Sequence, residues 1–182
     1  MSSYQTATVT EVKKLGEGTR VCLDFIDELK PDEGIWIGNT GNGYLMALSE
    51  NRSTDTYPPR PFRVNAGAYH HYLLRDEEKT GYVAEMNPGD DVFVWHHDQY
   101  RQIPIGRIKR EKRPFIRVVC QLKNEDKQIS VTVQDADSVH LLGADGEPKQ
   151  AIELVVGDEL ACRPDQAGRH LGEKITEEIE EY

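Results

Sequence analysis

The sequence predicts a mainly β protein, assembled from small β-barrel-like modules with at most two short helices. Short runs of alternating or β-branched residues recur along the chain, bounded by Gly, Pro, Asn and Asp. Apolar residues at helical spacing are scarce. An imperfect repeat, 28–34 (ELKPDEG), 85–91 (EMNPGDD) and 153–159 (ELVVGDE), leads into an apolar strand each time. In each copy an apolar residue plugs a core ahead of a turn, and an acid marks where the next strand begins. Two or three related β-modules would produce this pattern.

In chain order, strands are expected at 6–12 and 19–24, with a short helix at 24–29 stopped before Pro31. Strands at 34–38 and 44–48 flank Gly38-Asn39-Thr40-Gly41-Asn42-Gly43. That segment is glycine-rich, but it opens a strand and not a helix, so it reads as a hairpin and not a dinucleotide site. Residues 54–61 hold three prolines that cannot donate to a ladder and form a stiff connection. The expected division is a first β-module at 1–56 and the remaining module or modules at 57–182, packed as one compact unit. Further strands follow at 62–65, 69–74, 91–95, 103–110, 114–122, 128–133, 138–142 and 159–163, with Asp145-Gly146 as a tight turn. In the tail, Ile175 and Ile179 have helical spacing amid many Glu, and helix and frayed strand both remain open.

The balance of 22 Lys+Arg against 32 Asp+Glu gives a net charge of −10. This argues against a general nucleic-acid binder, whose affinity rests on basic side chains neutralising phosphates. No apolar run approaches the ~20 residues a membrane span needs, and the opening residues lack the pattern of a signal peptide. A cytoplasmic setting is expected. Cys22, Cys120 and Cys162 each sit in an apolar stretch without CxxC spacing, and read as small buried hydrophobes.

Four segments carry chemistry. Residues 60–70 (RPFRVNAGAYH) place Arg60, Arg63, Asn65 and His70 together in an acidic chain. Such a set suits a phosphate or carboxylate beside a general acid/base or metal ligand, although the arginines could equally pair with surface carboxylates. Gly168-Arg169-His170-Leu171-Gly172 repeats that chemistry on a smaller scale. His96-His97-Asp98 follows a strand, where adjacent side chains point to opposite faces, and reads as a solvent loop. Residues 107–113 form a basic run.

Taken in order, 18–24 (GTRVCLD), 31–38 (PDEGIWIG), 48–50 (LSE), 60–70, 106–114 (GRIKREKRP), 133–142 (VQDADSVHLL) and 168–172 (GRHLG) resemble the class II 3-dehydroquinate synthases. Related to that family are the 3-amino-4-hydroxybenzoate synthases. The chain looks like their C-terminal half, and it departs from the family pattern at Tyr69, at His71, within 134–138 and at Leu171. The resemblance implies cyclisation of an acyclic, anionic amino-keto acid to a six-membered ring by an aldol-type step. It implies a divalent metal (Mn or Zn) held by Glu50, His70 and His170, with Arg60, Arg63, Asn65 and Arg169 on the substrate. NAD is not expected to bind this chain alone. The alternative is a non-catalytic or partner-dependent β-domain that completes an active site with a separate α/β chain; a homo-oligomer is also compatible. The expected partner is a small anionic substrate, with neither nucleic acid nor membrane. His70 and His170 are expected to lie in one shared site.

Overall fold

A computed structural model describes residues 4–167, 178–182 and the backbone of 169–170 and 173–174. Strands take up 59% of it and helical turns 4%, as the sequence predicts. The strands are β1 (Gln5–Phe25), β2 (Glu33–Gly38), β3 (Gly43–Glu50), β4 (Arg60–Ala68), β5 (Tyr72–Leu74), β6 (Thr80–Tyr82) and β7 (Asp91–His96). Then come β8 (Gln99–Leu122), β9 (Gln128–Gln134), β10 (His140–Leu142), β11 (Pro148–Gln150), β12 (Glu159–Pro164), β13 (Arg169–His170) and β14 (Glu173–Lys174). The helical content is two three-residue 3-10 turns, Val83–Glu85 and Ala151–Glu153.

Antiparallel pairings run β1–β8–β7–β2–β3–β12 and return to β1, so the strands close into a ring. Strand β4 crosses between β1 and β3, and β9 lies against β8. One large apolar cluster fills the interior, drawing on Val21, Leu23, Ile35, Leu45, Val64, Val118, Ile129 and Leu160 from seven strands. A second cluster gathers Trp36, Tyr44, Met46 and Trp95 on the other side of β2 and β3.

The runs at 6–12 and 19–24 are halves of the single strand β1, and 103–110 and 114–122 are halves of β8. Gly16, Gly18 and Pro114 look like breaks in the sequence, yet the ladder passes them at an irregularity. Lys14 pairs with Ile116 and Glu17 with Pro114, which leaves one extra residue on β1. A bulge of this kind accommodates a proline that cannot donate to the ladder. The helix considered at 24–29 does not form. Asp24 and Phe25 stay in β1, because the Asp24 carboxylate is engaged by Arg63 and Arg107 from the flanking strands. The glycine-rich hairpin does join β2 to β3, and Gly146 (φ 83°) turns β10 into β11.

Candidate functional site

The site grows out of the alternation in β1. Val21, Leu23 and Phe25 enter the apolar core, so Arg20, Cys22 and Asp24 face the other way. Strand β4 lies alongside, with Asp24 opposite Arg63 and Cys22 opposite Asn65. The result is a continuous, buried polar layer. Arg63 grips Asp24 with two bonds (Nε–Oδ1 2.8 Å, Nη2–Oδ2 3.1 Å), and Arg107 Nε adds a third at 2.8 Å. Burial works to raise the Asp24 carboxyl, but the hydrogen bonds from Arg63 and Arg107 outweigh it and hold it below its ordinary value. Arg60 Nη2 lies 2.7 Å from Glu50 Oε1. Burial of Glu50 pushes its carboxyl upward even against Arg60, Arg63 and Arg20. Gln134 Oε1 accepts from both Arg20 Nη1 and Asn65 Nδ2, each at 2.9 Å. Arg20 also reaches Glu111, which Lys109 and Arg113 contact in turn. Six basic groups (Arg20, Arg60, Arg63, Arg107, Lys109, Arg113) therefore meet three acids (Asp24, Glu50, Glu111). In a chain of net charge −10 this is a local cationic surplus.

At the far end of β4 the chain turns through Tyr69, His70 and His71. His70 is exposed and lines a cleft of ≈ 330 Å³ with Gly18, Thr19, Phe115 and Thr132. Asn39 is oriented by two neighbours, donating Nδ2–H to Ser130 Oγ and accepting from Thr132 Oγ1 through Oδ1. The same Oδ1 lies 2.7 Å from His70 Nε2, so Nε2 carries the proton and donates. Desolvation by the surrounding atoms lowers the His70 pKa and so favours the neutral ring. Its Nδ1 then presents a basic lone pair, with no partner among the described residues. His71 behaves oppositely. It is fully buried, donates from Nδ1 to the Ala66 carbonyl (2.8 Å) and accepts at Nε2 from the Thr132 amide (2.9 Å), stapling β4 to β9.

Of the residues expected from the sequence, Arg60, Arg63, Asn65 and Glu50 share the polar layer, and His70 stands beyond the other end of the same strand. No hydrogen bond or ion pair joins Glu50 to His70 among the described residues. The side chains of Arg169 and His170 lie outside those residues, so a site shared by His70 and His170 does too. The backbone of the two residues forms β13 against β14. Just before it, Ala167 closes on Gly41, where an added Cβ would lie 3.3 Å from the Ala167 Cα. The surroundings of Glu50 do not suit a divalent metal, since a guanidinium already neutralises its carboxylate and two more stand nearby. Arg20, Asp24, Asn39 and Gln134 were not singled out from the sequence. Arg20 and Asp24 were legible as the polar positions of an alternating run, whereas Asn39 and Gln134 are joined to the site only by tertiary pairing.

Residues 6–182 match the family described as the 3-dehydroquinate synthase II C-terminal domain. The chain belongs to that family. It is 38% identical over 176 residues to a 3-dehydroquinate synthase of Methanococcus maripaludis strain C5, covering 96% of this chain and 48% of the relative. Against the 3-dehydroquinate synthase of Methanospirillum hungatei it is 37% identical, covering 94% and 52%. Against that of Methanosarcina acetivorans it is 38% identical, covering 98% and 46%. The chain thus spans about half the length of the curated relatives it matches. No solved structure matches it significantly.

Proposed function

We propose that this chain is the substrate-holding β part of a 3-dehydroquinate synthase II-type cyclase, which closes an acyclic anionic amino-keto acid into a six-membered ring. The observation that carries the reading is the cationic surplus built into an acidic chain along the strand that ends at a neutral His70. Arg60, beside Glu50, stands roughly 20 Å or more along β4 from His70. The guanidinium best placed to take a carboxylate or phosphate of a substrate held at His70 is therefore Arg110, which lies 5.4 Å from the Tyr69 ring centroid. Arg63, clamped by Asp24, holds the positive field in place. His70 Nδ1 would accept the proton α to a carbonyl. The resulting enolate carbon attacks the distal carbonyl carbon, forming the ring C–C bond, and the imidazolium returns its proton to the new alkoxide. The His70 Nε2–H bond to Asn39 keeps the ring in the tautomer this step needs.

That the chain covers only 46–52% of its relatives favours a second reading, in which the site is completed by an α/β region outside this sequence. One experiment addresses both. The chain is assayed for ring closure alone and mixed with the separately produced N-terminal region of a relative. Product from the chain alone supports a self-sufficient cyclase, and product from the mixture alone supports the completed site. In either case His70→Gln should lower kcat about 10²-fold or more, the ordinary contribution of a general base. Arg110→Gln should act mainly on KM. No product under both conditions, or an unaffected His70→Gln, overturns the proposal.

A further inference from the structure

The β7–β8 hairpin places a cluster of metal-ligating groups away from the arginine layer. Strand alternation would send His96 and His97 to opposite faces, and the sequence alone reads them as a solvent loop. The structure bears out an exposed loop but not the opposite faces. His96 pairs with Gln99, so the loop consists of His97 and Asp98. His97 takes a φ of +57°, the single positive φ at a non-glycine among the described residues. A residue with a side chain enters that region at a conformational cost. Here it swings the His97 ring to the side of His96, their centroids 4.5 Å apart. Both Nε2 atoms then face one carboxylate: His96 Nε2 is 2.9 Å from Asp32 Oδ1 and His97 Nε2 is 3.4 Å from Asp32 Oδ2.

The backbone beside Asp32 is held independently of the histidines. It belongs to the first copy of the repeated turn, at the position where the other copies carry Gly89 and Gly157. Its neighbour Glu33 accepts from the Lys30 amide (2.8 Å) and from Arg101 Nε (3.0 Å), and Glu33 pairs with His96 across β2 and β7. The three ligand atoms lie within 4.8 Å of one another. Zinc bonds of roughly 2.0–2.1 Å in a tetrahedron need donors about 3.4 Å apart, a closure that small side-chain rotations supply. All three side chains are part-exposed, which leaves a coordination position open to water.

We propose that Asp32, His96 and His97 form a binding site for one divalent transition-metal ion of the zinc, cobalt or nickel type. Two imidazoles and one carboxylate are a borderline donor set matched to these ions and not to Mg²⁺ or Ca²⁺. His96 also lines a groove of ≈ 560 Å³ with Glu28, Lys30, Glu33, Tyr100 and Arg101, so the open position borders a cavity whose walls carry both charges.

The test is titration of the full chain with Zn²⁺ by calorimetry and with Co²⁺ by visible absorption. One ion per chain is expected. His96→Ala, His97→Ala and Asp32→Ala should each weaken binding at least tenfold, and His140→Gln should leave it unchanged. His97→Gly is the informative variant, because glycine accepts the hairpin's φ. It should fold at least as well as the parent, by circular dichroism and thermal melting, and still lose the ion. No binding by the parent at 100 µM metal (about −5.5 kcal/mol in affinity) overturns the proposal. So does retained binding in His97→Gly, and so does loss of the ion in His70→Ala instead.

Discussion

Gly67 and His71 show how far one residue's backbone can govern another's chemistry. Gly67 has a φ of +78°, and a Cβ built there would sit 2.6 Å from His71 Cε1 and 2.7 Å from the Thr132 carbonyl oxygen. Gly67→Ala should therefore destabilise the fold by about 2–4 kcal/mol, combining strain with displacement of a buried hydrogen-bonded ring. Urea unfolding measures this, and an unchanged midpoint would refute it. Burial holds His71 at a pKa of about 3, against 6.5 for a free imidazole. Between those values the unfolded chain binds a proton that the folded chain refuses, so folding is favoured as pH rises. The stabilisation is complete above about pH 6.5 and is lost as pH falls towards 3, worth at most about 5 kcal/mol over that window. Lowering the pH from 7.5 to 5 should shift the unfolding midpoint of the parent downward, and His71→Asn should flatten that dependence. A variant as steep as the parent would mean other groups carry it. The sequence showed two adjacent histidines at the end of a strand but not which one is interior. The positive φ at Gly67 resets the alternation that would have decided it, and the Thr132 carbonyl that leaves no room for a Cβ there belongs to β9, far away in sequence.

At the level of elements, the repeated turn is where the sequence was most informative. In all three copies a buried plug (Leu29, Met86, Leu154) is followed by an amide that donates to an acid three residues on. The bonds are Lys30 N to Glu33 Oε1 (2.8 Å), Asn87 N to Asp90 Oδ2 (2.9 Å) and Val155 N to Asp158 Oδ2 (3.0 Å). The second and third copies also share a 3-10 turn and a positive-φ glycine, Gly89 (φ 95°) and Gly157 (φ 101°). A Cβ at either glycine meets no atom within 4 Å, so any cost of substitution is conformational and not steric. Gly89→Ala and Gly157→Ala should each lose about 1–2 kcal/mol, the ordinary penalty for a left-handed residue with a side chain. Two neutral results in chemical denaturation would show that these turns relax freely. Long strands were harder to read. Pro104 and Pro114 look like strand ends, but their missing N–H groups fall in a ladder whose register shifts at neighbouring positions on β1. A bulge depends on the partner strand, about a hundred residues earlier in the chain, and local pattern cannot reveal it.

The same non-locality governs the whole molecule. The expected boundary near residue 56 falls in the stiff connection between β3 and β4, yet pairing crosses it repeatedly. Strand β1 pairs with β4, β8 and β12, and β3 pairs with β4, β10 and β12. Without residues 1–56 the interior loses Val21, Leu23, Phe25, Ile35, Ile37 and Leu45, and β8 loses the partner that runs along most of its length. The polar layer fails with it, because Arg63 would keep neither Asp24 nor the field of Glu50. Cutting the chain at 56 therefore removes about a third of the interior cluster and the counter-charges of Arg60 and Arg63. The fragment 57–182 should show no cooperative thermal transition and no dispersed amide spectrum alone, and both should return when 1–56 is added in equal amount. Reassembly is expected to depend on concentration, since register such as Ala7 with Leu122 then joins two separate chains. A 57–182 fragment that melts cooperatively by itself would show instead that the second module carries its own core, with β1 to β3 merely docked upon it.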